Sequence, residues 1–250
     1  MRMMPDTRTI AENVNGFVGA VEHALRIGFR SARANLVPMV VLWLLATAAV
    51  LAYLVPGAAA LFEPLARWQR SGGWLAAFLN RFVFCGALPG VFVLTLPELR
   101  PERFPILTVA ATGLWGGVWG ILTDGFFRLQ GVWFGVEPTV GSIVMRTLVD
   151  QFVWNAFVVT PCVATFYYWI ACGFSVRRLC LTWPEKWIVR VILPNLVTNW
   201  CVWIPVVAAV YAFPVPLQIQ VSGFASAFWT LVCLKIGSSS CVATEKTCGE

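Results

Sequence analysis

From Val191 to Leu234 the chain runs 44 residues without an Asp, Glu, Lys or Arg. A bilayer core ~30 Å thick is crossed by ~20 apolar residues in helix, so this stretch is too long for one crossing. Phe213-Pro214-Val215-Pro216 lies near its middle, and proline lacks the N–H that helix continuation requires. The segment therefore reads as two antiparallel spans joined by a tight proline turn and ending at Lys235. Composition agrees: hydrophobic residues make up 59% and charged residues 12%, about half the charged share of a soluble domain.

Earlier segments follow the same logic. Ala34 to Phe62 is read as the first span, closed by the polar patch Arg67, Arg70, Ser71 and Gly72. Glu63 begins the charged residues after it. Trp74 to Leu96 is the second, interrupted by Asn80 and Arg81. Only 15 residues from Phe82 to Leu96 are free of charge, ~22 Å of helix, so Arg81 is expected to snorkel to an interface. The loop 97–103 carries two prolines and four charges and belongs in water. Pro105 to Thr123 is the third span, ending at Asp124, and Gln151 to Val176 is the fourth, closed by Arg177 and Arg178. Trp183 to Trp187 reads as an interfacial turn. The expected fold is all-α: a polytopic transmembrane bundle of about six spans over 34–236. It is preceded by an amphipathic helix in 1–33 and followed by a polar tail, 237–250, expected to be disordered. In the first segment Ile10, Val14, Phe17, Val21 and Leu25 share one helical face, as in a helix lying in the membrane plane.

With the N-terminus inside, 13 basic residues fall in inside segments and 4, namely Arg67, Arg70, Arg128 and Arg146, outside, Arg81 uncounted. That places both termini on the cytoplasmic or matrix-like side. The net charge of +6 is thereby explained by residues flanking spans, and nucleic acid is not an expected partner. The expected partners are the lipid bilayer and small solutes, with self-association left open. The eight cysteines form no CxxC pair and the single histidine is His23, so no zinc site or other cofactor is expected. Pairing of Cys241 with Cys248 stays open beside two free thiols. No GxSG, HExxH, GxGD or phosphate-binding glycine loop is present, so the reading is not an enzyme.

Polar residues inside apolar segments are the candidate functional groups, because they are costly there and usually face the bundle interior. Asp124, Asp150, Gln151 and Asn155 are read as pore-lining, with an interfacial acid as the plainer reading of the aspartates. Thr160 and Pro161 follow in the same span. Gly113, Gly116, Gly117 and Gly120 form small-xxx-small pairs, which let helix backbones approach closely in lipid. Their alternatives are a tight crossing that shapes a pore wall and ordinary bundle packing.

Asn199-Trp200-Cys201-Val202-Trp203-Ile204-Pro205, then Val215-Pro216-Leu217, then Phe228-Trp229 resemble the signature of the Mpv-seventeen family of 22-kilodalton peroxisomal membrane proteins. Arg146-Thr147-Leu148-Val149-Asp150-Gln151 is similar to that family's basic-x-x-x-DQ stretch, and Gly120 to Leu129 to its glycine-then-aromatic-pair motif. Glu102-Arg103 stands where the family has an acidic-basic linker. The resemblance covers about 74–236, with Trp203, Pro205, Pro216 and Trp229 as its motif residues. Ala156 replaces the family's proline, and Ile204 splits its Trp-Pro pair. The resemblance implies a small multi-pass protein of the mitochondrial inner membrane or the peroxisomal membrane, some members forming pores for small metabolites or ions. A bacterial inner membrane and a non-conducting scaffold remain the alternatives.

Overall fold

A computed structural model of the chain describes residues 7–34, 36–96, 104–181, 183 and 187–248. Every described element is a helix: α1 (Thr7–Ala34), α2 (Leu36–Leu54), α3 (Ala59–Thr95), α4 (Pro105–Phe134), α5 (Val140–Ala171), α6 (Val176–Leu181), α7 (Ile188–Tyr211) and α8 (Val215–Cys248). Among the described residues, five segments are long and apolar enough to cross a membrane: α3, α4, α5, α7 and the Val215–Leu234 part of α8. Within α2, Met39–Leu54 is a shorter apolar helix. The chain is an integral, multi-pass, all-α membrane protein. The expected loop 97–103 and most of the turn 183–187 lie outside the described residues. So do the side chains of Ile10, Val14, Phe17, Cys241 and Cys248.

The proline turn falls where the sequence places it, with α7 ending at Tyr211 and α8 starting at Val215. Other boundaries move. The first span stops at Leu54 rather than Phe62, because the chain turns at Gly57 (φ 84°). Arg67, Arg70, Ser71 and Gly72 do not form a loop; they ride on the first half of α3. At ~1.5 Å per residue the 37 residues of α3 exceed the ~30 Å core, so this charged half projects beyond it. Asp124 does not end the third span either, since α4 continues to Phe134. Arg146 and Asp150 lie on α5, which begins at Val140 behind a Thr139 cap: Ser142 N donates to Thr139 Oγ1. The backbone stays helical beyond Lys235 to Cys248, where a disordered tail is expected from the sequence.

α3 bends at Gly73 (φ 50°, ψ −124°), a conformation that side chains with a Cβ rarely adopt. Gln69 Nε2 donates across the bend to the Gly73 carbonyl at 3.1 Å. Gly73→Ala is expected to lower stability by ~1–3 kcal/mol, read as thermal unfolding in detergent. Gly125→Ala is the control, since a Cβ there meets nothing within 4 Å.

Among the described residues, three stretches widen into π-helix: Val83–Ala87, Asp150–Val159 and Ile188–Ile192. Each is followed two residues later by a proline: Pro89, Pro161 and Pro194. A proline ring clashes with the carbonyl four residues before it and offers no N–H, and a wider turn gives that carbonyl room.

α8 is the most enclosed of the five long spans and packs against α3, α4, α5 and α7. α3 and α4 make the broadest contact, through the glycines of α4. A methyl at Gly120 would lie 2.3 Å from the Ala77 carbonyl oxygen, and one at Gly116 2.5 Å from Cys85 Cβ. Gly113 meets Gly86 of α3, where an added methyl would stand 2.4 Å from the Gly113 Cα. Gly117 faces the Phe78 ring. α1 lies along α7 through Ala24, Gly28 and Ala32, all buried. Thr198 Oγ1 donates to the Gly28 carbonyl there at 3.1 Å.

Candidate functional site

Two buried polar networks run through the bundle. The first ties α4 to α3 and α8. Asp124, fully buried, accepts from Arg128 Nε at 2.8 Å and from Gln69 Nε2 at 3.1 Å. Gln220 Nε2 donates to Gln69 Oε1 at 2.9 Å, and Asn80 Nδ2 to Gln220 Oε1 at 2.5 Å. Asp124 is therefore an ion-paired, helix-locking group, with half-exposed Arg128 carrying the pair outward.

The second network joins α4, α5 and α7. Tyr211 Oη donates to Asp150 Oδ2 at 2.7 Å and accepts from Gln130 Nε2 at 2.6 Å. Gln151 Nε2 donates to Asp150 Oδ1 at 2.7 Å. Asn155 Nδ2 donates to Gln151 Oε1 at 3.0 Å and also to Asn199 Oδ1 of α7. Thr160 Oγ1 donates to Asn155 Oδ1 at 3.0 Å, and Trp200 Nε1 to the Gln151 carbonyl at 2.9 Å. In the π-helical stretch of α5, Asp150, Gln151 and Asn155 turn inward while Val153 and Phe157 are exposed on the outer face.

Between the networks sits Arg81. The sequence reading sends it to the interface, but the structure buries it. Its Nη2 donates to Ser222 Oγ at 3.0 Å and its Nη1 to Ser226 Oγ, both on α8. The serines are one helical turn apart, so both meet one planar guanidinium. Arg146, which the sequence reading counts among the outside charges, is also fully buried. Its Nη2 donates to the Gly135 carbonyl at 2.6 Å, and its guanidinium lies 5.5 Å from the Tyr211 ring centroid.

Asp150, Gln151, Asn155, Asn199, Arg81 and Ser226 all contribute to the wall of one cavity of about 120 Å³. Its apolar wall includes Trp115, Trp119, Trp154, Trp203 and Trp229. One water needs only ~10–15 Å³ measured in this way, so the space admits several waters or a small organic molecule. Counted at ~1.5 Å per residue from Pro214, Ser222 lies ~12 Å and Thr230 ~24 Å along α8. Both line the cavity, which therefore sits about midway along the Val215–Leu234 span.

Of the residues singled out from the sequence, Asp150, Gln151 and Asn155 come together here and Asp124 stands apart. Gly116 lines the cavity while the other three glycines serve the α3 contact. Trp203 and Trp229 meet edge to face across it, ring centroids 6.4 Å apart. Pro205 lies inside α7 and Pro216 in the first turn of α8, neither on the cavity wall. Sequence reasoning quotes Asn199 only as part of a family-like motif and overlooks Tyr211, Gln130, Ser222 and Ser226. The readable signal was polar residues four apart in an uncharged run: Gln218, Ser222, Ser226 and Thr230 line one face of α8 and all are buried. Among the described residues, no three His, Cys, Asp or Glu side chains are grouped to hold a metal ion.

No protein-family model, no curated protein and no solved structure matches this chain.

Proposed function

We propose that this protein passes small polar solutes across its membrane through the interior of the bundle, with the mid-depth cavity as the place where a solute rests between the two sides. The carrying observation is a cavity within the bundle whose mainly apolar wall carries Arg81, Asp150, Gln151 and Asn155, set among spans whose outer faces are apolar. Buried polar groups in a span are expensive unless a partner or a solvated cavity repays them. Here Asp150, Gln151 and Asn155 meet both conditions. The resemblance of residues 146–151 and 199–229 to a family with pore-forming members supports the same reading. It is one of transport, not catalysis.

The test is re-swelling of proteoliposomes after an osmotic step, followed by light scattering. Small solutes such as urea, glycerol and acetate should enter faster than into empty vesicles, and sucrose should not. Rates equal to those of empty vesicles for every small solute would dispose of the proposal.

A non-conducting scaffold is the second reading, favoured by the internal hydrogen bonds that occupy both oxygens of Asp150. On that reading Asp150→Asn leaves the protein's cellular role intact, whereas a transporter should lose flux.

A further inference from the structure

The donors and charges around the cavity define what it can hold. Arg81 is 8% exposed and has no carboxylate at ion-pair distance among the described residues, where the four ion pairs are Glu22–Arg26, Glu63–Arg67, Glu63–Arg70 and Asp124–Arg128. Its two terminal nitrogens are held by neutral serines, and its Nε is buried without a hydrogen-bond partner. The cavity wall also includes Trp115 and Trp203, whose indole N–H groups are buried and unpartnered. Among the described residues, every buried, unpartnered side-chain polar atom on this wall is therefore a donor. An indole N–H and a guanidinium have nothing else to offer.

Charge leads to the same conclusion. The buried interior holds Arg81, Arg146, Asp124 and Asp150, with Arg128 paired to Asp124. With Asp124 neutralised by half-exposed Arg128, Asp150 is the one buried carboxylate left for the two buried guanidiniums of Arg81 and Arg146. Asp150 shares the cavity wall, but its oxygens are already taken up by Tyr211 and Gln151. Its charge limits an occupant to the Arg81 end and to a single negative charge. Water could satisfy the lone donors but not the charge, and a buried charge is retained at least cost when paired.

We infer that the cavity is a binding site for a small monovalent anion, a short-chain carboxylate or an inorganic ion of similar size. Arg81 is its counter-charge, and a small reorientation of the Trp115 and Trp203 indoles brings their N–H groups, which have no exposed surface as they stand, to donate to it. The inference rests on the transport reading only in taking the cavity as a solute site. It commits that site to anions, where the pore reading names none.

Anion binding to the folded state raises its apparent stability in a saturable way. The full chain in detergent is titrated with sodium acetate or sodium chloride, with sodium gluconate replacing them so that ionic strength stays constant. Gluconate, bulkier and more heavily hydrated than either, serves as the comparison anion. A saturating rise of the unfolding temperature with acetate or chloride is expected. Arg81→Gln should abolish that rise, and Trp203→Phe, which keeps an aromatic ring but removes the N–H, should weaken apparent affinity about threefold or more. Trp115→Phe gives the same readout if Arg81→Gln fails to fold. Equal curves in acetate, chloride and gluconate overturn the inference, as does an undiminished rise in the Arg81→Gln and Trp→Phe variants. Flux of neutral solutes without anion stabilisation leaves transport standing and removes the anion site. Saturable stabilisation without any flux does the reverse.

Discussion

Gly120→Val is expected to leave little folded protein. A Cβ at Gly120 would lie 2.3 Å from the carbonyl oxygen of Ala77 and within 3 Å of Arg81 Cβ and Cγ. The first of these is helix backbone and cannot turn aside. Overpacking in an ordered core costs ~1–3 kcal/mol where side chains can shift, and more where they cannot. Parting α3 from α4 would also move Arg81 away from Ser222 and Ser226. The expected result is aggregation on size-exclusion chromatography in detergent, or an unfolding temperature lowered by many degrees. A Cβ at Gly117 would meet the Phe78 ring at 2.4 Å, the far end of a side chain that can rotate. Gly117→Ala should therefore be milder than Gly120→Ala. The opposite ranking, or a Gly120→Val protein as stable as the parent, would mean that the α3–α4 contact is not the one described.

The second large effect concerns Asn155, the hub of the α5–α7 network. Asn155→Leu removes the hydrogen-bond partner of Gln151 Oε1, Asn199 Oδ1 and Thr160 Oγ1 at once, replacing it with an apolar group of similar size. Each buried group left unmatched costs roughly 1–3 kcal/mol, although hydrogen bonds between helices in bilayers average nearer ~0.6 kcal/mol. Asn155→Ala should be gentler, because it enlarges a polar cavity that water can enter. Unfolding of both variants in detergent reads the difference. If leucine proves no worse than alanine, Asn155 is not the centre of a satisfied network.

The spans were largely legible, because hydrophobicity is summed along the chain. Val191 to Leu234 shows both its length and its proline turn without any knowledge of neighbours. The pairs Gly113–Gly117 and Gly116–Gly120 were legible as a close-packing face, and the same rule applied to Ala24, Gly28 and Ala32 would have found the buried stripe of α1. What stayed hidden depends on partners far away in sequence. Arg81 looks like an interfacial residue until Ser222 and Ser226, more than 140 positions later, are placed beside it. Asp124 and Arg146 look like linker residues because each interrupts an apolar run. Their helices continue through them, since Gln69 and Tyr211 supply partners from other elements. Hydropathy reads a charge as a stop, whereas a bundle interior can absorb it. The π-helical turns were partly written in Pro89, Pro161 and Pro194, but proline alone permits a kink, a cap or a wider turn.

The most direct measurement is the accessibility of single cysteines placed along α5 from 151 to 160, in a chain otherwise freed of cysteine and reconstituted in liposomes. A small water-borne thiol reagent should modify cysteines at 151 and 155, which face the cavity, and spare those at 153 and 157, which face lipid. Uniform protection of all these positions, or faster modification at 153 and 157 than at 151 and 155, would contradict a solvated polar cavity inside this membrane bundle.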